Sequence, residues 1–198
     1  MKIYAELVVW LWLSAGHVFV LWINRGYEYQ QLGFRFPDSL RFWIVSAAVI
    51  AILVFFVFMY FGLRSNEKLR SRVRASLTNM DEAALVPTTP RELCGWGVCS
   101  ASAASEEIVF RGFAIWYLTD FVALPIAAVV STFVFALAHA YQGISGIIRS
   151  GIYGAVLLTV FLVSGSIWPA IILHVAQDFY SGMAGYLSSE RTMPNTSQ

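Results

Sequence analysis

Two adjacent glutamates and an arginine stand inside an apolar stretch of this chain. Glu106, Glu107 and Arg111 lie within residues 91–119, a segment otherwise small and apolar enough to cross a bilayer. A charge at the bilayer centre costs roughly a few kcal/mol or more, so these side chains should face a partner or a water-filled cavity. Ionisable groups in such a segment are typical of a functional site.

Two later apolar segments supply candidate partners for these charges. Phe135 and His139 form the pattern Phe-x-x-x-His, and His174 and Asp178 form the pattern His-x-x-x-Asp. Residues four apart lie on one face of a helix, so each pair can point in one direction. The three patterns together predict a polar site shared by three transmembrane helices.

The composition predicts an all-α, polytopic integral membrane protein, a helical bundle with about six transmembrane helices. The chain has 198 residues, of which 58% are hydrophobic and only 13% charged, and its mean hydropathy is +0.66. Its apolar residues form long blocks where a soluble protein would show amphipathic stripes. A net charge of +1 gives no reason to expect nucleic acid as a partner, whereas the lipid bilayer is an expected one.

The apolar blocks divide the chain into three regions. Residues 1–90 should hold two transmembrane helices and a basic loop, residues 91–187 a core of four helices, and residues 188–198 a polar tail. Between positions 64 and 74 there are five cations and one acid, so the positive-inside rule predicts that this loop and both termini are cytoplasmic. We expect the loop to be a solvated juxtamembrane segment that also touches anionic lipid. The six predicted helices are residues 5–23, 42–63, 91–119, 126–141, 147–163 and 168–187.

Helix geometry separates the roles of the two glutamates. Glu107 and Arg111 are spaced i,i+4 and can pair, whereas Glu106 is rotated by about 100° and is left free. The hairpin turns at residues 120–125, and Glu106 and His139 each lie thirteen residues from it, counted from Thr119 and Ile126. Both side chains are then at the same depth, about 20 Å from these outer helix ends.

The depth of the third motif is expected to differ. Counted from Trp168, the predicted start of the last helix, His174 and Asp178 come out shallower by about 5–10 Å. Unless that helix starts earlier or tilts, His174 is then poorly placed to join Glu106 and His139 on one metal ion.

A glutamate and a histidine at one depth can activate water for hydrolysis. A desolvated carboxylate is a better general base, and a neutral histidine can hold the same water or pass a proton to a leaving amine. A second histidine beside a carboxyl group can stabilise an oxyanion. Two other interpretations stay open, because polar groups also hold transmembrane helices together and a Glu, His and Asp set can relay protons in a transporter.

The three motifs, taken in order over residues 91–187, resemble the CAAX protease and bacteriocin-processing (CPBP, or Abi) family of intramembrane glutamic endopeptidases. The resemblance implies a peptidase similar to the type II CAAX prenyl proteases, with residues 91–187 as its catalytic core. It implies that Glu106 and His139 hold the attacking water and that His174 and Asp178 line the oxyanion side. Glu107, Arg111 and Phe135 are then structural or supporting residues.

The resemblance also implies a substrate class and a location. The substrate would be a membrane-associated peptide or protein, such as a prenylated C-terminus, a bacteriocin leader or a sorting anchor, and the membrane a prokaryotic cell (inner) membrane. No cofactor is favoured. The alternative is zinc held by Glu106, His139 and His174, but the chain has no His-Glu-x-x-His and the expected depth of His174 is unsuitable. A non-catalytic bacteriocin-immunity or binding protein is the alternative function.

Overall fold

The N-terminal part of the chain forms two long helices and a short one. The computed structural model describes residues 2–78 and 86–189, which are mostly helical, with no β-strand among them. Helix α1 spans Lys2–Arg25, α2 spans Leu40–Ser65 and α3 spans Glu67–Thr78. Residues 26–39, the α1–α2 loop, contain one 3-10 turn.

The third apolar block is broken, where the sequence predicts one continuous helix. It consists of α4 (Pro90–Ala101), α5 (Ala103–Glu107), a π-helical segment (Ile108–Ala114) and α6 (Ile115–Leu118). A capping box starts α4: the Thr89 side chain accepts from the Glu92 backbone N–H, and the Glu92 side chain accepts from the Thr89 backbone N–H. Both glutamates of the first motif therefore lie directly before a π-helical segment.

The last helix is the centre of the bundle. A hairpin of α7 (Leu124–Ala138) and α8 (Gly143–Ser164) precedes α9 (Trp168–Ser188). Helix α9 packs against α2, α4, α5 and α8, and many of its residues are buried from Pro169 to Ser188. Most of α2, by contrast, exposes apolar side chains, as a lipid-facing helix does.

Three helices in the described part of the chain are long and apolar enough to cross a bilayer unaided. They are Ala5–Arg25, Leu40–Ser65 and Ala140–Ser164, and Leu124–Ala138 is a shorter apolar helix. These helices identify an integral membrane protein. Six crossings and cytoplasmic termini stay predictions, and the predicted polar tail lies outside the described residues from position 190 onward.

The basic segment, which the sequence predicts to be a connecting loop, contains helix α3, and its cytoplasmic location stays a prediction. Helix α3 places Leu69 and Leu77 on one side, where they meet the glycines Gly62 and Gly185 of α2 and α9. Arg74 Nε donates to the carbonyl oxygen of Ser188 at the end of α9, 2.8 Å away. Packing and a helix-end hydrogen bond therefore favour helix where charge alone suggested a solvated loop.

The α1–α2 loop closes one end of the bundle. Leu32 in this loop and Ile167 just before α9 are fully buried in one apolar cluster with Trp22. The Ile167 backbone N–H donates to the Gly33 carbonyl at 2.9 Å. A Cβ atom at Gly112 would lie 3.0 Å from the Leu32 carbonyl oxygen, so this close approach favours glycine. The loop thus holds the start of α9 against the π-helical segment.

Candidate active site

All four predicted catalytic side chains line one cavity of about 570 Å³. Its walls come from α1, α4, α5, the π-helical segment, α7, α8 and α9. Glu106 projects from α5, His139 from the end of α7, and His174 and Asp178 from α9. The cavity extends from these residues toward the end of the bundle where Val86, Pro87 and Gln142 lie.

Glu107 is the buried centre of a charged network. Its side chain is fully buried, and its Oε1 accepts from Arg111 Nη1 at 2.9 Å, the pair that the i,i+4 spacing predicts. The same oxygen lies 2.7 Å from His174 Nδ1. A carboxylate that pairs with an arginine accepts, so the proton of this second bond is on Nδ1. Glu107 therefore orients His174 and leaves its Nε2 directed elsewhere.

Arg111 is almost fully buried, with 1% of it exposed, and three groups inside the bundle contact its guanidinium. Besides Glu107, its Nη2 donates to the Gly154 carbonyl of α8 at 3.1 Å, and its Cζ lies 4.2 Å from the centre of the Phe135 ring. A buried guanidinium needs such partners, because an unpaired charge there is strongly destabilising. Phe135 also contacts both histidine rings, His139 at 4.7 Å and His174 at 5.8 Å between centroids.

Glu106 and His139 face each other across a short gap. His139 Nδ1 lies 2.9 Å from the Phe135 carbonyl, which can only accept, so Nδ1 carries the proton and Nε2 of the neutral ring is an acceptor. His139 Nε2 is 4.0 Å from Glu106 Oε2, too far for a direct hydrogen bond. Glu106 Oε2 is buried and accepts no hydrogen bond from the described residues. Two acceptor atoms thus point at one space.

The break in the third block positions both glutamates. Ser105 Oγ donates to the Ser102 carbonyl at 2.6 Å where α4 gives way to α5. Farther on, Ser131 of α7 donates to the Phe110 carbonyl of the π-helical segment at 2.6 Å. Side-chain hydroxyls of this kind give irregular helix backbone the partners it needs away from water. Such π-helical segments are frequent at functional sites.

His174 and Asp178 line the cavity next to the first pair, and the expected depth mismatch is therefore wrong. Helix α9 begins at Trp168, as predicted, but its start contacts Gly112 rather than the outer end of α6 at Leu118. Gly112 lies six residues before Leu118, or about 9 Å along the helix, and this distance accounts for the expected offset. The α1–α2 loop occupies that distance, which a count from the membrane surface does not include.

Asp178 is more open than its neighbours. Its side chain is 39% exposed, and its Oδ2 is 3.9 Å from His174 Nε2, beyond direct hydrogen bonding. Its carbonyl accepts from Trp96 Nε1 of α4 at 2.7 Å, which ties α4 to α9 beside the site.

Sequence reasoning missed several cavity residues. The Tyr153 ring meets the edge of His174 with centroids 5.6 Å apart, and its hydroxyl donates to the Leu173 carbonyl at 3.2 Å. Trp96 and Tyr153 carry no charge and belong to no motif, so no pattern marks them. Arg149 does carry a signal, because it is the single charge of the fifth apolar block.

The described residues contain no group of three or more His, Cys, Asp or Glu side chains placed to hold a metal ion. The set considered for zinc is Glu106, His139 and His174, and the bond of His174 Nδ1 to Glu107 leaves the Nε2 atom of that ring directed elsewhere. Whether hydrolysis is metal-free stays a prediction.

The fold and the site define a class, a helical integral membrane protein with acidic and imidazole side chains gathered in an internal cavity. The family model described as "Type II CAAX prenyl endopeptidase Rce1-like" matches residues 93–180, the part of the chain that contains all three motifs. Residues 93–180 are thus similar to this family, and the match supports a hydrolase, a CAAX-type intramembrane peptidase. Comparison with curated proteins and with solved structures gives no match. The family match does not favour an immunity protein or a transporter.

Proposed function

We propose that this chain is a glutamic endopeptidase that hydrolyses a peptide bond of a membrane-associated peptide or protein, with Glu106 as general base. One observation carries this proposal: the acceptor atoms Glu106 Oε2 and His139 Nε2 lie 4.0 Å apart on one cavity. A water that donates one hydrogen to each atom keeps a lone pair free to attack a carbonyl carbon.

The proton then follows a short path. As the water oxygen bonds to the carbonyl carbon, Glu106 takes one proton and the carbonyl oxygen becomes an oxyanion. The amine leaves when the C–N bond breaks, and Glu106 returns that proton to its nitrogen. The second water hydrogen stays on the new carboxyl group, so His139 acts by holding the water in line.

His174 is the proposed oxyanion donor. Its Nδ1–H is committed to Glu107 at 2.7 Å, so its Nε2 can donate only when the ring is an imidazolium. The Glu107 carboxylate stabilises that cation, and a cation aimed at the developing oxyanion lowers the barrier. Glu107, Arg111 and His174 then sum to one positive charge beside the reacting carbonyl.

The cavity wall supports an apolar or lipid-modified substrate. Leu7 and Leu11 of α1 and Val109 of the π-helical segment form an apolar part of the cavity wall. A prenylated C-terminus, a bacteriocin leader or a sorting anchor would each place apolar groups there. The cations of α3 near one end of the cavity support an orientation with that end cytoplasmic, and a prokaryotic inner membrane is the proposed location.

The test compares membrane proteomes of cells producing the wild type, Glu106→Gln and Asp120→Asn. Glu106→Gln keeps the side-chain shape but cannot accept the proton, so cleavage of the native substrate should fall roughly 10²–10⁴-fold. Asp120 is exposed in the α6–α7 turn, and its neutral variant is the matched control.

Retained cleavage in the Glu106→Gln strain would remove the glutamate mechanism. The purified enzyme should also keep its activity after chelation. Loss of activity on chelation, with recovery on zinc addition, would overturn the metal-free part of the proposal alone.

A further inference from the structure

Helix α3 concentrates positive charge at one end of the bundle. Its 12 residues contain a single acid, Glu67, and four cations, which are Lys68, Arg70, Arg72 and Arg74. Arg64 adds a fifth cation in the last turn of α2. Cations spaced four residues apart repel one another on a helix, so α3 is stabilised by additional negative charge.

Two of these arginines have partners inside the protein. Arg70 Nη1 donates to the Leu63 carbonyl near the end of α2 at 2.9 Å, and its Nη2 donates to Glu67 Oε2 at 2.6 Å. Arg74 Nε donates to the Ser188 carbonyl at the end of α9. Cations next to the last carbonyls of a helix are favourable, and these two hold α3 against α2 and α9.

The other cations face outward. Lys68 and Arg72 are exposed and share one face of α3 because they are four residues apart, and Arg64 is exposed beside them. Only Asn66 separates α3 from α2, which is long and apolar enough to cross a bilayer. Helix α3 therefore lies at a membrane surface, where anionic phospholipids present phosphate groups to nearby cations.

Helix α3 also forms part of the cavity wall. Leu77 in its last turn and Val86 both line the cavity, and both side chains pack over Gly185 of α9, where a Cβ atom would collide with Val86. No α3 side chain that the structure describes is fully buried. A helix of this length is marginally stable by itself in water, so contacts on its outer face affect where this wall lies.

We propose that Lys68 and Arg72, together with Arg64, bind the phosphate groups of anionic phospholipids, and that this contact holds α3 in place as an end wall of the cavity. The sequence predicts contact with anionic lipid for this segment, and the packing of Leu77 connects that contact to the cavity. Anionic lipid then narrows this end of the cavity, and its removal widens it. The lipid composition of the membrane thus regulates access to the acidic and imidazole side chains inside.

The experiment measures how fast Cys99, which lines the cavity, reacts with an uncharged, water-soluble maleimide. The full-length protein carries Cys94→Ser, which removes the exposed second cysteine. It is reconstituted in vesicles of phosphatidylcholine with or without phosphatidylglycerol. Phosphatidylglycerol should slow the reaction roughly 10- to 30-fold, the factor expected for two cations at an anionic surface.

Two double variants assign the effect to α3. Lys68→Gln, Arg72→Gln should react at the faster rate in both membranes. Arg25→Gln, Arg41→Gln removes two exposed cations that flank the α1–α2 loop, at the opposite end of α2, and should keep the full lipid effect as the matched control. Inorganic phosphate added to phosphatidylcholine vesicles should leave the rate unchanged.

Equal rates in the two membranes, including no reaction in either, overturn the proposal. A lipid effect that persists in Lys68→Gln, Arg72→Gln also overturns it, as does an equal slowing by inorganic phosphate alone. The comparison of the two membranes uses native α3, so it decides the proposal even where the double variant does not fold. No cleavage is measured, so a failure of the glutamate mechanism is observed separately from a failure of this proposal.

Discussion

Glu107→Gln is the sharpest test of how the charged network holds this bundle together. The substitution keeps the volume and an acceptor oxygen, but it removes the negative charge from a fully buried position. Arg111 Nη1 at 2.9 Å and His174 Nδ1 at 2.7 Å both donate to that carboxylate. The variant therefore isolates the charge of Glu107 from its shape.

The expected cost follows from what Arg111 retains. Removing one partner of a buried ion pair typically costs about 3–5 kcal/mol. The Gly154 carbonyl at 3.1 Å and the Phe135 ring at 4.2 Å remain as partners of Arg111. We therefore expect a loss near the lower limit, about 3 kcal/mol, which is roughly a 10²-fold fall in the ratio of folded to unfolded protein.

The measurement is unfolding in mixed micelles on titration with sodium dodecyl sulfate, followed by tryptophan fluorescence. The double variant Glu107→Gln, Arg111→Met removes both charges and should recover most of the lost stability, because a neutral buried pair carries no desolvation penalty. It should stay inactive, since His174 no longer has an anionic partner. Asp120→Asn is the neutral control. A single variant within about 0.5 kcal/mol of the wild type, or a double variant no more stable than the single one, would refute the network as described.

Two further outcomes are expected. When cleavage of the substrate is measured, Asp178→Asn should retain much of the activity while Asp178→Ala loses most of it, because the 3.9 Å gap to His174 needs a polar group but no charge. An Asn variant as inactive as the Ala variant would show that the carboxylate itself is required. Reporter fusions placed after Thr78 and at the C-terminus should read cytoplasmic and one within residues 27–38 external, and an external signal after Thr78 would reverse the proposed orientation.

The elements of this fold could be read from the sequence where the apolar pattern is long. Helix α2 was expected over residues 42–63 and spans Leu40–Ser65, and α9 starts at the expected Trp168. The π-helical segment could not be predicted, since the seven residues Ile108–Ala114 are too few for the hydrophobic pattern to distinguish one helical period from another.

The site was predictable within a helix and much less so between helices. Spacing of i,i+4 correctly pairs Glu107 with Arg111, and matching depth agrees with the 4.0 Å between Glu106 and His139. The contact of His174 with Glu107 was missed because it depends on a tertiary feature, the α1–α2 loop folding inward to hold the start of α9. No local pattern in the sequence encodes that displacement.

The inward fold of the α1–α2 loop limits where the substrate can enter the cavity and where the products can leave it. Leu32 and Ile167 seal one end of the bundle, and no described residue between positions 15 and 76 contributes to the cavity. The cavity is therefore closed on the side of this loop, and substrate entry and product release are both expected on its other sides. We expect turnover to depend on how fast the shorter fragment leaves through those openings.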